Sequence, residues 1–276
     1  MSKKVTVSYL MEAKQKGEKL TMLTAYDYPT AAAMDEAGID MILIGDSLGM
    51  VVLGYDSTIP VTMEDMIHHT KPVVRAAKRA LVFADLPFMS YNVSKKEALH
   101  NAARLMQEGG ADGVKLEGGI EVAKVVQLMV DAGVPVCGHL GLTPQSINVF
   151  GGYGLRAKDD AEAEKLLADA KALELAGACA IVLEKIPTEL AKKVSEALTI
   201  PTIGIGAGPD CDGQVLVTPD LLGIFEKFTP KFVKQYAQIG PEMKRAFAQY
   251  AEEVKTGVFP AEEHTFHVDP KKDAEA

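Results

Sequence analysis

A (β/α)8 barrel is the fold class this sequence predicts, and three observations predict it. Eight short apolar runs recur along the chain, rich in β-branched residues and free of strict alternation, as strands covered on both faces require. Helical patterns separate most of them, and eight parallel strands close a barrel. Five successive runs, from the second to the sixth, deliver an ionisable residue at the same end, where barrel enzymes hold their chemistry. The rival architecture is a doubly wound open sheet.

The elements follow in order. A helix over 5–16 precedes the first strand, 20–25, and is expected to plug the barrel bottom. Residues 29–37, with Ala31, Ala32, Ala33 and Met34, read as a helix before the strand 41–45. The helix 62–79 opens on a cap-like Thr62-Met63-Glu64-Asp65 and ends in basic residues, as helix polarity favours. The strand 81–86 leads to a helix over 95–107, stopped by Gly109 and Gly110. The strand 113–116 leads to a helix over 120–130, stopped by Gly133 before the strand 134–138. The stretch 139–159 is long for a loop in a compact domain and contains Phe150-Gly151-Gly152-Tyr153-Gly154, the mark of a functional or moving segment. An amphipathic helix over 160–176, acidic at its start and stopped by Gly177, precedes the strand 180–183. A helix over 188–197, the strands 201–205 and 214–217, and terminal helices over 231–237 and 241–255 complete the pattern. No linker divides the chain, so 1–276 is expected to be one domain, with 268–276 a disordered tail.

Composition limits the partners. The 276 residues are 47% hydrophobic and 24% charged, with 29 Lys+Arg against 38 Asp+Glu and a formal charge of −9. Mean hydropathy is +0.06, that of a globular protein with a sizeable core. The acidic balance argues against nucleic acid or an anionic membrane as main partner. Cys137, Cys179 and Cys211 are far apart and form no CxxC pair, so neither a disulfide framework nor a structural zinc is expected. The chain has no long apolar run, and 1–19 are polar and mixed in charge, which predicts a soluble, cytoplasmic protein.

The strand ends carry the chemistry. The second run ends in Gly45-Asp46-Ser47, the third in Asp85, the fourth reads Lys115-Leu116-Glu117, and the fifth and sixth lead into His139 and Glu184. Asp46, Asp85 and Glu117 come from neighbouring strands, and three converging carboxylates repel one another in a partly dry mouth. A hard divalent cation resolves that conflict, and oxygen-only ligands favour Mg²⁺ or Mn²⁺ over zinc. Lys115 and Glu117 share a face, so the lysine could pair with an anionic substrate. Each residue also has a plain structural reading. Asp46 alone could cap a helix or form a turn, Lys115 and Glu117 could be an interior salt bridge, His139 could be structural, and Glu184 could cap or face solvent. The glycines of Ile203-Gly204-Ile205-Gly206-Ala207-Gly208 lack the GxGxxG spacing of a dinucleotide loop and are expected to allow close backbone approach. His264 and His267 near the chain end read as a docked or loose tail rather than a metal pair.

The motifs together resemble the ketopantoate hydroxymethyltransferase family, of the phosphoenolpyruvate/pyruvate barrel superfamily. The resemblance rests on Thr24-Ala25-Tyr26-Asp27, Gly45-Asp46-Ser47-Leu48-Gly49-Met50, Asp85-Leu86-Pro87-Phe88-Met89, Lys115-Leu116-Glu117-Gly118-Gly119, Gly138-His139-Leu140-Gly141-Leu142-Thr143-Pro144-Gln145, Phe150-Gly151-Gly152-Tyr153, the 203–208 run and Asp212-Gly213-Gln214. It departs at Pro219, where many relatives carry a polar residue. The resemblance implies that Asp46 and Asp85 bind Mg²⁺, with Glu117 completing the ligands directly or through water. It implies that Ser47 and Lys115, with Asp46 and Asp85, hold a 2-oxo acid, and His139 is grouped with them. Glu184 matches the family's proton acceptor. The implied reaction transfers a hydroxymethyl group from 5,10-methylenetetrahydrofolate to 3-methyl-2-oxobutanoate in a large homo-oligomer, often a decamer. The alternatives are a Mg²⁺-dependent 2-oxo acid lyase or mutase of the same superfamily, or a catalytically silent binding barrel. No Lys-Lys-Cys-Gly-His run of the isocitrate-lyase branch is present.

Overall fold

The computed structural model describes residues 3–225 and 229–268, so the tail 269–276 lies outside the described residues. The strands β1 (Leu20–Thr24), β2 (Met41–Ile44), β3 (Leu81–Asp85), β4 (Gly113–Glu117), β5 (Val136–Gly141), β6 (Ala180–Glu184), β7 (Thr202–Ile205) and β8 (Gly213–Leu216) run parallel in sequence order around a closed barrel. Leu20 to Leu23 of β1 pair with Gly213 to Leu216 of β8, and this closure excludes the open sheet. The helices are α1 (Val7–Lys16), α2 (Tyr28–Glu36), α3 (Leu48–Val51), α4 (Met63–Ala76), α5 (Lys95–Gln107), α6 (Ile120–Asp131), α7 (Ile147–Phe150), α8 (Asp160–Leu175), α9 (Thr188–Ala197), α10 (Thr218–Leu221) and α11 (Ile239–Thr256). The chain forms two compact units, 1–218 with 230–233, and 219–229 with 234–276.

Local chemistry sets the boundaries. Thr6, Asp27, Ser94 and Asp159 cap α1, α2, α5 and α8 by accepting a backbone N–H three residues on. Thr62 and Asp65 form the reciprocal capping box their spacing predicts. Helix α4 stops at Ala76, earlier than expected, because the Asp35 carboxylate takes the N–H groups of Lys78, Arg79 and Ala80 and draws the chain toward β3. Strand β5 begins and ends later than expected, since Val134 N–H donates to Met129 O and closes α6. That shift puts His139 on the strand. The helix expected over 231–237 is absent: Val233 N–H turns back to Pro230 O, and Tyr236 and Ile239 N–H donate to Leu221 and Leu222 O. Pro219 is the second residue of α10, where no intrahelical N–H is needed.

Two apolar layers result. Ile42, Ile44, Leu116, Leu140, Ile181 and Leu183 face outward and pack with the surrounding helices, whereas Leu20, Met22, Met41, Phe83, Val182 and Ile203 fill the interior. Val5, Leu10 and Ala13 belong to that interior cluster, so α1 closes the barrel bottom as the sequence predicts. One device recurs at the strand entries. Asp40, Asp112 and Asp212 stand just before β2, β4 and β8, and each accepts the first or second N–H of the preceding strand, from Thr21, Val82 and Thr202. Each also binds a cation: Arg79 at 2.7 Å, Lys4 at 2.9 Å and Lys14 at 2.7 Å respectively. Two of the three cations flank or lie on α1, so the repeat also fastens the plug.

In the C-terminal unit α11 is terminated by Gly257 in a left-handed conformation. No helix among the described residues is long and apolar enough to cross a membrane.

Candidate active site

Alternation decides which side chains reach the barrel mouth. Leu81 and Phe83 face the interior, and Asp85 continues their face; Cys137 leads to His139, and Ala180 and Val182 lead to Glu184. Lys115 and Glu117 share the corresponding face of β4. Strand register then sets Asp85 beside Lys115, Glu117 beside His139, and Gly141 beside Glu184. Asp46 lies beyond the end of β2, and its backbone N–H donates to Asp85 Oδ2 at 3.0 Å after the turn at Gly45.

The contacts separate the two readings of each residue. The Lys115 ammonium pairs with Asp85 Oδ1, not with Glu117. Glu117 Oε1 instead stands 3.3 Å from His139 Nδ1, and His139 Nε2 stands 3.3 Å from Glu184 Oε2. Neither histidine contact is aligned as a hydrogen bond, so His139 is an electrostatic bridge between two carboxylates. Glu184 caps no helix, because α9 starts at Thr188 behind Pro187. Its side chain is 16% exposed while its five neighbours are buried, so it is the member of the set open to the mouth. Gly141 makes this placement feasible: its φ is +91°, and a Cβ there would come within 2.2 Å of Glu184 O. Leu142 N–H donates to that same carbonyl at 2.8 Å. Ser47, half-buried, shares a hydrogen bond with Tyr26 Oη at 2.8 Å.

Gln145, a residue without an expected role, ties the site together. Its Nε2 donates to Asp46 Oδ2 at 2.8 Å and Leu86 O at 3.0 Å, and its backbone N–H donates to Glu117 Oε2 at 3.0 Å. Tyr91 donates to Gln145 Oε1 at 2.8 Å and accepts from Glu117 N–H at 3.2 Å. One amide thus spaces carboxylates delivered by β2 and β4. The sequence signal was only a glutamine behind Thr143-Pro144, which says nothing about what it touches.

Burial and mutual repulsion govern the charges. Burial first, then the charges of Asp85 and Glu117, push the Asp46 carboxyl well above the usual range. Burial opposes the Lys115 ammonium, but Asp85, Asp46 and Glu117 overcome it and raise its pKa. Burial and Lys115 oppose a charged His139 as well, yet Glu117 and Glu184 raise it to about 9. Burial, then the charges of Glu184 and Asp46, also raise the Tyr153 hydroxyl, which lies over this group.

The donor set fits a hard divalent cation in kind. Asp46, Asp85, Glu117 and Glu184 set four carboxyl groups against the basic side chains of Lys115 and His139, so acidic groups outnumber basic ones by two. Among the described residues no three acidic, imidazole or thiol groups already stand as a complete ligand set. Protein donors hold them instead, with Lys115 on Asp85 and Gln145 on Asp46. Mg²⁺ commonly takes one or two carboxylates and completes its shell with substrate oxygens and water, so Asp46 and Asp85 suffice as protein anchors. His264 and His267 are engaged locally, His267 Nε2 lying 2.7 Å from Glu262 Oε1 and His264 Nδ1 taking Ala261 N–H at 3.2 Å. The 203–208 run leads through turns into β8 rather than opening a helix, which rules out a dinucleotide motif.

A closed eight-stranded parallel barrel with a buried acidic cluster at the carboxyl ends of its strands is the architecture of a TIM-barrel enzyme. Structural neighbours share that fold. A 2,3-dimethylmalate lyase of the PEP mutase/isocitrate lyase superfamily superposes with TM-score 0.58 at 15% identity, covering 96% of this chain and 92% of that one. A phosphonopyruvate hydrolase, solved with oxalate and Mg²⁺, gives TM-score 0.61 at 12% identity over 98% and 93% of the two chains. The family model for ketopantoate hydroxymethyltransferase matches residues 4–262, and the chain belongs to that family. A 3-methyl-2-oxobutanoate hydroxymethyltransferase of Thermoanaerobacter sp. (strain X514) is 59% identical over 99% of both chains. One of Syntrophus aciditrophicus (strain SB) is 58% identical over 96% of this chain and 97% of its own.

Proposed function

We propose that this enzyme transfers a hydroxymethyl group from 5,10-methylenetetrahydrofolate to 3-methyl-2-oxobutanoate, forming 2-dehydropantoate. The observation that carries the reading is the buried set of Asp46, Asp85 and Glu117 around Lys115, with Glu184 open to the mouth beside them. Relatives of this identity bear the name of that activity. Lys115 and Ser47 would hold the substrate carboxylate, the former by charge and the latter by its hydroxyl, which Tyr26 orients. Asp46 and Asp85 would hold Mg²⁺, with Glu117 joining directly or through water. When bound, Mg²⁺ supplies Lewis-acid stabilisation of the charge developing on the keto oxygen. Glu184 receives the C3 proton at a carboxylate oxygen, and His139, wedged between Glu184 and Glu117, fixes the orientation of that carboxylate. Water adds to the one-carbon unit as its two C–N bonds break, and tetrahydrofolate leaves with its nitrogens protonated. The substrate C3 bonds to the resulting formaldehyde-level carbon, whose oxygen takes a proton and becomes the new hydroxyl. The purified chain should consume the oxo acid only when folate donor and Mg²⁺ are both present. Turnover that needs no folate would favour the lyase or mutase reading, and no turnover the silent barrel.

We read the whole chain, 1–276, as one cytoplasmic functional domain that works as a homo-oligomer, with a decamer as the expected form. Support comes from α11, on which Ile239, Met243, Phe247, Tyr250 and Val254 form an exposed stripe at spacings of four, four, three and four residues. Apart from the Phe259 ring beside Tyr250, this stripe stays exposed among the described residues, and such a stripe is an expected subunit contact. Phe247→Glu should lower the mass seen by light scattering at micromolar concentration. An unchanged mass would place the contact elsewhere.

A further inference from the structure

Residues 150–156 lie over the barrel mouth, and their fastenings point to a residue outside the site described so far. We propose that Lys185 is a positioning residue that latches this segment shut over the substrate, with Tyr153 as its cover.

Lys185 directly follows Glu184 and holds a φ of +45°, in the left-handed region that a non-glycine residue rarely occupies. Its backbone N–H donates to Ile205 O at 2.9 Å, so β7 fixes the strained residue in place. Its carbonyl accepts Arg156 N–H at 2.8 Å, and its ammonium donates to Tyr153 O. One residue therefore ties both the tip and the far end of the segment to the strand that carries Glu184. On the other side, Tyr153 Oη reaches Met50 Sδ at 3.8 Å. Met50 lies on α3, just after β2, and β2 stands four strands from β6 in an eight-stranded ring. The segment consequently spans the diameter of the mouth.

Its base is fastened at several points and its tip at few. Arg156 packs over the Phe150 ring at 4.1 Å and pairs with Glu162 at 2.6 Å, and Ala157 N–H donates to the same carboxylate at 2.7 Å. Between these ends, Gly151 and Gly152 hold φ of +70° and +148°, and open space surrounds both where a Cβ would project. The tip is held by one charged hydrogen bond to Lys185 and a weak hydroxyl–sulfur contact. Breaking the former should open the mouth without touching the carboxylates. A closed segment keeps the oxo acid in and water out while C3 is deprotonated. This role rests on the reading of Glu184 as the base.

The test uses the full chain carrying Lys185→Met, Lys185→Gly or Lys185→Arg. Glycine tolerates the left-handed backbone, so that variant folds even if methionine does not. Two readouts are followed: chymotrypsin cleavage at Phe150 and Tyr153 without substrate, and Mg²⁺-dependent deuterium exchange at C3 of 3-methyl-2-oxobutanoate. Loss of one charged hydrogen bond predicts cleavage about tenfold faster and an oxo-acid KM about tenfold higher, with the saturating exchange rate within about threefold of wild type. Lys185→Arg should restore both. Wild-type cleavage and KM in the methionine and glycine variants, or a collapsed saturating rate with unchanged cleavage, would overturn the latch. If Glu184→Gln left exchange intact, the reading of the base would fail, while cleavage of the substrate-free variants would still decide the latch.

Discussion

Glu184→Gln should slow deuterium exchange at C3 of the oxo acid by roughly 10²–10⁴-fold, the usual worth of a positioned general base. The amide keeps the size of the carboxylate and leaves Lys115, Ser47, Asp46 and Asp85 in place, so the oxo-acid Kd should change by less than about threefold. Exchange and folate-dependent product should fall together, because both pass through loss of the C3 proton. The structure sharpens this expectation in one respect. Glu184 Oε2 faces His139 Nε2, so the neutral amide loses an ionic contact of the His139 bridge as well as its basicity. His139→Gln should therefore produce a weaker version of the same defect, since Glu184 keeps its charge and loses its orientation. Equal exchange rates in wild type and Glu184→Gln would remove Glu184 from the proton step. Fast exchange with slow product would move it to the donor step.

Much of this was legible in the residues. Apart from the shifted β5, the apolar runs, the plug helix and the capping box at Thr62 appear within a residue or two of where the pattern places them, because local periodicity and caps are set within a few residues. Lys115 and Glu117 face the mouth together, as their two-residue spacing requires. What failed to show was long-range. Asp35 ends α4 from another helix, 43 residues before Lys78, and no local signal announces that. The alternative reading of Lys115 and Glu117 as a mutual interior salt bridge fails, because strand register, which the sequence does not display, sets Lys115 beside Asp85 and Glu117 beside His139. Gln145 and Tyr91 reach the site from separate loops 54 residues apart, and only the folded chain reveals their meeting. The segment 231–237 has helical composition, but the carbonyls of Leu221 and Leu222 claim N–H groups at and just beyond its end.

Asp85→Ala should abolish turnover, and the way it does so separates a metal anchor from a structural ion pair. Asp85 presents Oδ1 to the Lys115 ammonium and Oδ2 to the Asp46 N–H. Each carboxylate oxygen has a second lone pair, so these bonds do not exclude a cation. Removing the side chain takes away one of two carboxylate anchors and leaves a buried ammonium short of its nearest partner. Without Mg²⁺ the two effects on stability oppose each other. Asp46 gains from lost repulsion, since Asp85 is the strongest charge acting on it, while Lys115 and the Asp46 N–H lose a partner. The second effect should win by about 1–3 kcal/mol, the cost of a buried donor left unsatisfied. Adding Lys115→Met should recover that loss and restore no activity. Mg²⁺ is the decisive probe. Wild type should gain roughly 5–10 °C in Tm at a hundredfold excess of Mg²⁺ over its Kd, since ligand that binds only the folded state stabilises by mass action. Asp85→Ala and the double variant should show no such gain. A retained Mg²⁺ response in Asp85→Ala would move the metal off Asp85, and full turnover in the double variant would reduce the Lys115–Asp85 pair to a structural contact.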